Sequence, residues 1–420
     1  MKININTLIS LIHPTFGAIR TSIMSNSFKY NWKSSIFCMA FLLAMLAYCY
    51  IPLQDEDLSN YARYVEVLKS KSLFSALTYG RYAIEQAYVF ILLCWIFSRF
   101  GGYHMLSAFT TFFIYYIGFY VTCRIGEDLK CDSKSIKTNI FFIILSSNFF
   151  GIINNIHNIF AFSIFALAVF RDLYQRKRNI FTMILYIIPC FLHFTAIIFV
   201  VLRIIILLPE ILKKIFAIIL LFSTFIIEFL FNLTSKISVS TPINRFIYSV
   251  VKSANSYFFD SISEYAMATQ GSRLQLVMKI VFGVMAICFI ALSKILNKNI
   301  YNNNIRDHCE HHEVAILRTL PFINFVVFTT LACLPTSTPT YWRFAAIFTL
   351  LSGIIFLPFR CISYSSRLFL TIKHLVWILA IINFLLLIFR LLAIYDYNSL
   401  IVNFITTSPS TEIVKILFNV

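Results

Sequence analysis

The sequence predicts an all-α integral membrane protein, a polytopic helical bundle of about 11 spans plus a re-entrant or interfacial segment. Three observations carry this prediction. Of 420 residues, 59% are hydrophobic and 13% charged, with a mean hydropathy of +0.81, too few charges to clothe a soluble surface. The apolar runs are near-continuous, roughly 15 to 20 residues long, and lack the period-two alternation of barrel strands; only helices and closed barrels satisfy their backbone in lipid, so the spans are helices. The lysines and arginines behind the net charge of +17 are spread over short segments between the apolar runs, not gathered in one basic domain. They read as topology signals, and no nucleic-acid partner is implied.

Residues 1–33 are polar and mildly basic, and no small-residue cleavage site follows the first apolar run, so that run is expected to stay in the mature chain. The basic segments 1–33, 124–137, 171–178, 213–214, 294–318 and 360–373 are expected in the cytoplasm. The spans then fall at 35–53, 103–122, 139–153, 156–170, 180–193, 194–209, 214–231, 274–292, 314–333, 343–357 and 374–392. The run 83–98 is short and begins with Glu85 and Gln86; it reads as re-entrant or partly embedded from the outer side. The organisation expected is a cytoplasmic segment 1–34, a transmembrane domain 35–392 with periplasmic loops 54–82 and 232–273, and a periplasmic tail 393–420. Ten scattered cysteines with no CxxC pair read as core residues, and neither a disulfide framework nor a metal site is expected.

The chemistry-bearing residues collect on the expected outer face. The first loop opens Gln54-Asp55-Glu56-Asp57, and Leu58, Tyr61, Val65 and Leu68 then follow at helical spacing. That pattern is an amphipathic interfacial helix with Tyr61 and Tyr64 at headgroup depth, and its acids at a helix N-terminus also read as plain caps. Asp55 and Asp57 are candidate acid–base groups, as is Glu85, an ionisable residue entering an apolar run; an ion pair with Arg81, four residues earlier, is the plainer reading of Glu85. His157, in the turn Asn154 to Asn158, and His193, in Leu192-His193-Phe194-Thr195, are candidates at a second pair of turns. Arg63, Arg81, Arg245, Arg273 and Arg343 are outer-face arginines that the positive-inside preference does not explain, and guanidinium groups bind phosphate oxygens bidentately. Tyr341-Trp342-Arg343 sets an aromatic pair beside one of them, for an acceptor or for anchorage at the interface. The run His308-Cys309-Glu310-His311-His312-Glu313 lacks metal-site spacing, and Asn232-Leu233-Thr234 is a sequon of a kind that arises by chance.

Together these motifs resemble the Wzy-type polysaccharide polymerases, in particular the EpsG-like family: Asp55, Asp57, Tyr61 and Tyr64 after the first span, Glu85 heading the next apolar run, Gly101-Gly102, Asn154 to Ala161, Leu192 to Thr195, and Tyr341 to Arg343. The family often carries an arginine where this chain has His157. The resemblance implies a fold like the lipid-dependent, GT-C-like glycosyltransferases in a bacterial inner membrane, and a polymerase of O-antigen, capsule or exopolysaccharide. It would transfer an undecaprenyl-diphosphate-linked glycan to a sugar hydroxyl of a second lipid-linked repeat unit, without metal or other cofactor. Membrane lipid, a flippase and a chain-length regulator are the partners it implies. A flippase for the same lipid-linked glycans and a membrane O-acetyltransferase are the competing readings; a flippase would line a central cavity with charges, whereas here they gather at one face. If the topology is as read, cysteines introduced at 255 and 303 in a cysteine-depleted chain will react with impermeant reagent from opposite sides. Equal labelling of both in intact cells would overturn it.

Overall fold

The computed structural model describes residues 5–23, 32–54, 56–84, 86–234, 273–301, 310–336, 340–360, 367–394, 397–407, 409 and 412. Asp55, Glu85, Arg245, most of the predicted loop 232–273 and the residues 302–309 lie outside the described residues, as do the side chains of Arg81 and Arg273. Every described element is helical. In chain order these are α1 (Ile5–Ile12), α2 (Pro14–Ile23), α3 (Trp32–Tyr48), α4 (Asp57–Leu68), α5 (Leu73–Leu77), α6 (Gly80–Ile84), α7 (Tyr88–Phe97), α8 (Gly102–Asp128), α9 (Ser133–Ser146) and α10 (Phe149–Asn154). They continue as α11 (Ile156–Val169) with a π turn (Phe170–Tyr174), α12 (Ile180–Leu192), a short 3₁₀ turn (Phe194–Ala196), α13 (Ile197–Ile205), α14 (Glu210–Leu221) and α15 (Ser223–Thr234). The last are α16 (Arg273–Tyr301), α17 (Glu310–Ala332), α18 (Tyr341–Leu350), α19 (Gly353–Phe356), α20 (Arg367–Ile394) and α21 (Tyr397–Thr406).

The apolar runs become helices where the sequence places them, but fewer than expected have the length of a crossing. Among the described residues five helices are long and apolar enough to span a membrane, at Gly102–Asp128, Ile156–Tyr174, Leu274–Tyr301, His312–Ala332 and Arg367–Phe389. A sixth span arises if the bent pair Glu210–Leu221 and Phe225–Leu233 is one crossing. The reason lies in breaks inside the runs. The run 139–153 divides at Ser147 and Asn148, 343–357 divides after Leu350, and the hairpin on either side of His193 has arms of 13 and 9 residues, short of the roughly 20 a crossing needs. Helix α7, the core of the run 83–98, has 10 residues and so is about 15 Å long, half the hydrocarbon thickness.

Helix α8 is the axis of the bundle, contacting α3, α9, α11, α18 and α19. Small residues admit those neighbours: a Cβ on Gly353 would stand 3.2 Å from the Thr122 backbone, and one on Gly118 2.6 Å from Leu350. Polar side chains fasten the same contacts, because an unsatisfied group in hydrocarbon is costly. Asn139 donates to Thr122 Oγ1 at 2.8 Å, and Tyr115 and Ser147 share a hydrogen bond at 2.9 Å. Where α9 ends, Asn383 of α20 donates to the carbonyls of Leu145 and Ser146, at 3.1 and 3.2 Å, supplying partners those orphan acceptors lack in their own helix. The described cysteines are buried, all but Cys190, as their apolar settings predict. Large apolar side chains on the outside, such as Ile180, Met183, Ile187 and Ile197 on the α12–α13 hairpin, form a lipid-facing surface.

Two ends of this bundle are chemically distinct. Arg124, Arg176, Lys177 and Arg318, from the segments read as basic, meet at one end, and Tyr61, His157 and His193 meet at the other. His157 and Tyr174 stand at opposite ends of one span, about 25 Å apart along its axis. Gly353→Val should therefore push α8 and α19 apart, costing about 1–3 kcal/mol, and lower the melting temperature of the purified protein in detergent; an unchanged melt would show that the contact is not tight.

Candidate functional site

Helix α4 carries the first half of the site. Its predicted apolar stripe is buried, with Leu58 and Leu68 fully enclosed and Tyr61 2% exposed. Tyr61 therefore turns inward to the protein. Both ends of α4 are fastened. At its C-terminal end Arg99 donates to the carbonyls of Leu68 at 3.0 Å and Lys71 at 2.6 Å, a cation where the helix dipole favours one, with its guanidinium 4.1 Å over the Trp95 ring.

At its N-terminal end the acidic run does not cap the helix in the expected way. Glu56, at the cap position, makes no side-chain cap bond. Its carboxylate is instead buried and accepts from Tyr50 Oη at 2.7 Å, the Leu53 amide at 3.3 Å and Asn154 Nδ2 at 3.1 Å. The same Asn154 accepts from the Leu58 amide at 3.3 Å, so the cap comes from another helix. Of the two described acids at the start of this loop, Glu56, which the sequence reading passed over, is buried, and Asp57 is exposed on the first turn. The signal was present in the run of four polar residues, but its partners Tyr50 and Asn154 are distant from it in sequence or on another helix.

The second half comes from two helix breaks. Asn148 caps α10 by accepting from the Gly151 amide at 2.9 Å, and α11 begins afresh at Ile156, which puts His157 in its first turn. His193 interrupts the α12–α13 hairpin in extended backbone, and its Nδ1 accepts the Thr195 amide at 3.3 Å and lies 2.5 Å from Thr195 Oγ1. The two imidazoles meet with ring centroids 4.5 Å apart. Tyr61 Oη lies 2.7 Å from His157 Nδ1, and Tyr82 and Phe90 wall the pair with centroids 5.8 and 5.1 Å from His157.

Arg343 completes the group. Gly151 has no side chain, and one there would stand 2.6 Å from the Trp342 ring; that gap lets the start of α18 press against α10. Tyr341 and Trp342 are accordingly buried, 1% and 5% exposed, and are neither interfacial anchors nor an open aromatic platform. Arg343, the next residue, is partly exposed and within electrostatic range of Tyr61. Burial pushes the Tyr61 phenol well above its usual range, Asp57 and Tyr82 adding to the shift and Arg343 opposing it. Tyr61 is thus a neutral hydrogen-bonding group, not a base.

The structure therefore brings together Tyr61, His157, His193, Asp57 and Arg343 of the predicted residues. Tyr64 stands aside, donating to the Tyr79 carbonyl at 3.2 Å and packing on Tyr82, while Arg63 is exposed and donates to Asn60. The backbone of Arg81 belongs to α6, beside Tyr82, and that of Arg273 opens α16. Lys279, on α16, is an addition that the sequence reading missed; it donates to the Thr336 carbonyl at 2.8 Å in the turn leading to Arg343.

A family model, the EpsG family, matches residues 32–406, which takes in every part of this cluster. The chain belongs to the EpsG family. It is a membrane protein of polysaccharide-polymerase type, in a family associated with glycosyltransferase-like polymerases. No curated protein and no solved structure matches the chain. The EpsG match spans all five long helices and the short helices α4, α7 and α10 that form the site. Glu56→Ala will strand the donors of Tyr50 and Asn154 in a buried setting, at a cost of about 1–3 kcal/mol, and will lower the melting temperature; Glu56→Gln, keeping one acceptor oxygen, will lose less. Equal losses from the two variants would show that the carboxylate hydrogen bonds are not what holds the loop.

Proposed function

We propose that the chain polymerises a surface polysaccharide on the periplasmic face of a bacterial inner membrane, using undecaprenyl-diphosphate-linked glycan as donor and the sugar hydroxyl of a second lipid-linked repeat unit as acceptor. The observation that carries this reading is the convergence of Tyr61, His157, His193 and Arg343, from four separate elements, at the end of the bundle away from the basic segments. Family membership supports the polymerase chemistry, and the cluster supplies its two requirements, a proton acceptor and a cation.

In this mechanism His157 is the base. The reactive tautomer carries its proton on Nδ1, donates it to the Tyr61 oxygen, and presents the Nε2 lone pair to the acceptor hydroxyl. As the hydroxyl oxygen bonds to the anomeric carbon of the donor, its proton passes to Nε2, and the bond from that carbon to the diphosphate oxygen breaks. The undecaprenyl diphosphate departs as an anion beside Arg343, whose planar fork matches phosphate oxygens. Asp57, on the exposed first turn of α4, supports the cationic imidazole through its negative charge, and His193 limits where that charge can sit. Asp55 and Glu85 remain candidates for the same proton transfer, and Arg245 and Arg273 for the diphosphate. A flippase and a chain-length regulator are the partners such a polymerase works beside.

The test is complementation of a deletion strain, with surface polysaccharide separated on a gel. Single-repeat products in the deletion support a polymerase, whereas loss of all external glycan points to a flippase. His157→Gln will leave protein in the membrane and abolish extension, and Arg343→Lys, which keeps charge but loses the fork, will cut polymer sharply. Full-length polymer from His157→Gln removes it as base and returns the role to the carboxylates; undiminished polymer from Arg343→Ala removes the arginine from the diphosphate.

A further inference from the structure

The opposite end of the bundle holds a built cavity that the polymerase chemistry does not use. It has a volume of about 410 Å³ and is formed where the C-terminus of α8, the π turn after α11 and the first turns of α17 meet. Arg124 and Asp128 line it from α8, Tyr174, Arg176 and Lys177 from the π turn and the residues after it, and His312 and Arg318 from α17.

Its charge is unbalanced in a specific way. Arg124 is answered by Glu127 at 2.6 Å and Asp128 at 3.1 Å. Nearby, the buried Asp172 is answered by Arg178 and Arg203, each at 2.7 Å, and by the Tyr186 hydroxyl at 3.1 Å. Arg176, Lys177 and Arg318 make no salt bridge among the described residues, although Asp128 also attracts Lys177 and His312, and Arg318 feels Asp172 as well as the like charges of Arg176 and Arg178. The positive-inside preference explains cations near this end, but it does not require three of them from two elements to face one hollow.

A second observation is independent of charge. Tyr174, which lines the cavity, is 4% exposed and stacks on near-parallel rings, with Phe170 at 5.0 Å and His312 at 6.4 Å. Its buried hydroxyl has no hydrogen-bond partner among the described residues, nor has Gln175 Oε1 beside it. A buried hydroxyl without a partner is costly unless something in the cavity accepts from it. The π turn, whose Gln175 amide reaches back to the Phe170 carbonyl at 3.0 Å, shifts the helical register here, and Arg176 follows in left-handed backbone at φ 56°, turning the chain back over the cavity.

We propose that this cavity binds a phosphate-bearing anion, with Arg318, Lys177 and Arg176 neutralising the phosphate and the Tyr174 hydroxyl donating to one of its oxygens. Guanidinium, ammonium and phenol donors around one hollow are the donor set that phosphate oxygens accept from. The same chemistry is offered by the headgroup phosphate of an anionic lipid and by a soluble diphosphate, and the experiment separates these sources.

Full-length protein is purified in a zwitterionic detergent and its melting temperature followed against inorganic diphosphate, and separately after reconstitution in nanodiscs of phosphatidylcholine with or without phosphatidylglycerol. A saturable rise with diphosphate identifies a soluble anion, and a rise with phosphatidylglycerol alone identifies the headgroup; either supports the site. Tyr174→Phe should weaken the apparent affinity about tenfold, and Lys177→Gln with Arg318→Gln about a hundredfold or more, with melting temperatures close to wild type in the absence of the anion. Lys130→Gln with Lys134→Gln removes the same net charge from exposed positions at this end and should leave the affinity unchanged. No stabilisation by either probe overturns the proposal. So does an equal loss in the control pair, which would reduce the effect to diffuse attraction. These readouts do not involve polymer synthesis, so their outcome is separate from that of the polymerase reading.

Discussion

The buried carboxyl of Glu56 is the interaction on which the end of the bundle bearing His157 depends. A buried carboxyl group needs several donors around it, and the donors come from the residues just after α3, from its own loop and from α10. Meeting that requirement fixes α4 against the α10–α11 break. The same Asn154 that donates to Glu56 caps α4, so helix position and charge burial are solved by one side chain. Tyr61, one turn further along α4, is thereby delivered to His157, one turn past the break.

Broken helices are the means by which this apolar chain presents polar chemistry. Continuous helices bury their own backbone and offer lipid little else, so the candidate side chains stand where the backbone stops being regular: His157 after the Asn154–Asn155 break, His193 in the extended residue between α12 and α13, Arg343 at the first turn of α18, and Tyr174 in the π turn. The cost of each break is met locally. Asn383 covers the carbonyls at the end of α9, Asn148 caps α10, and Thr195 holds His193. The shortened helices and the site are therefore one feature, which is why runs that look like spans in sequence fall below crossing length.

The two ends of the molecule use cations differently. At the end bearing His157, Arg343 influences a buried phenol. At the other end, arginines and lysines crowd, and carboxylates are shared among only some of them. Proton transfer needs a small number of well-held groups, whereas retaining an anion needs excess positive charge, and the distribution fits the roles proposed for the two ends.

Composition alone determined the class: with 13% charged residues and a mean hydropathy of +0.81, no soluble fold was open to the chain, and helical spacing in Leu58, Tyr61, Val65 and Leu68 identified the buried stripe of α4. Motifs were enough for the family, and Tyr61, His157, His193 and Arg343 stood among a wider set of candidates that the sequence could not narrow. Only the tertiary structure decided that Glu56 is the buried acid, that Trp342 is a packing residue lodged against Gly151, and that Tyr174 and Arg318 face one cavity. The physical reason is that periodicity reports which face of a helix is apolar, while the identity of a partner on another helix depends on packing between elements remote in sequence. A carboxylate in a run of acids looks like a cap until Tyr50 and Asn154 close over it.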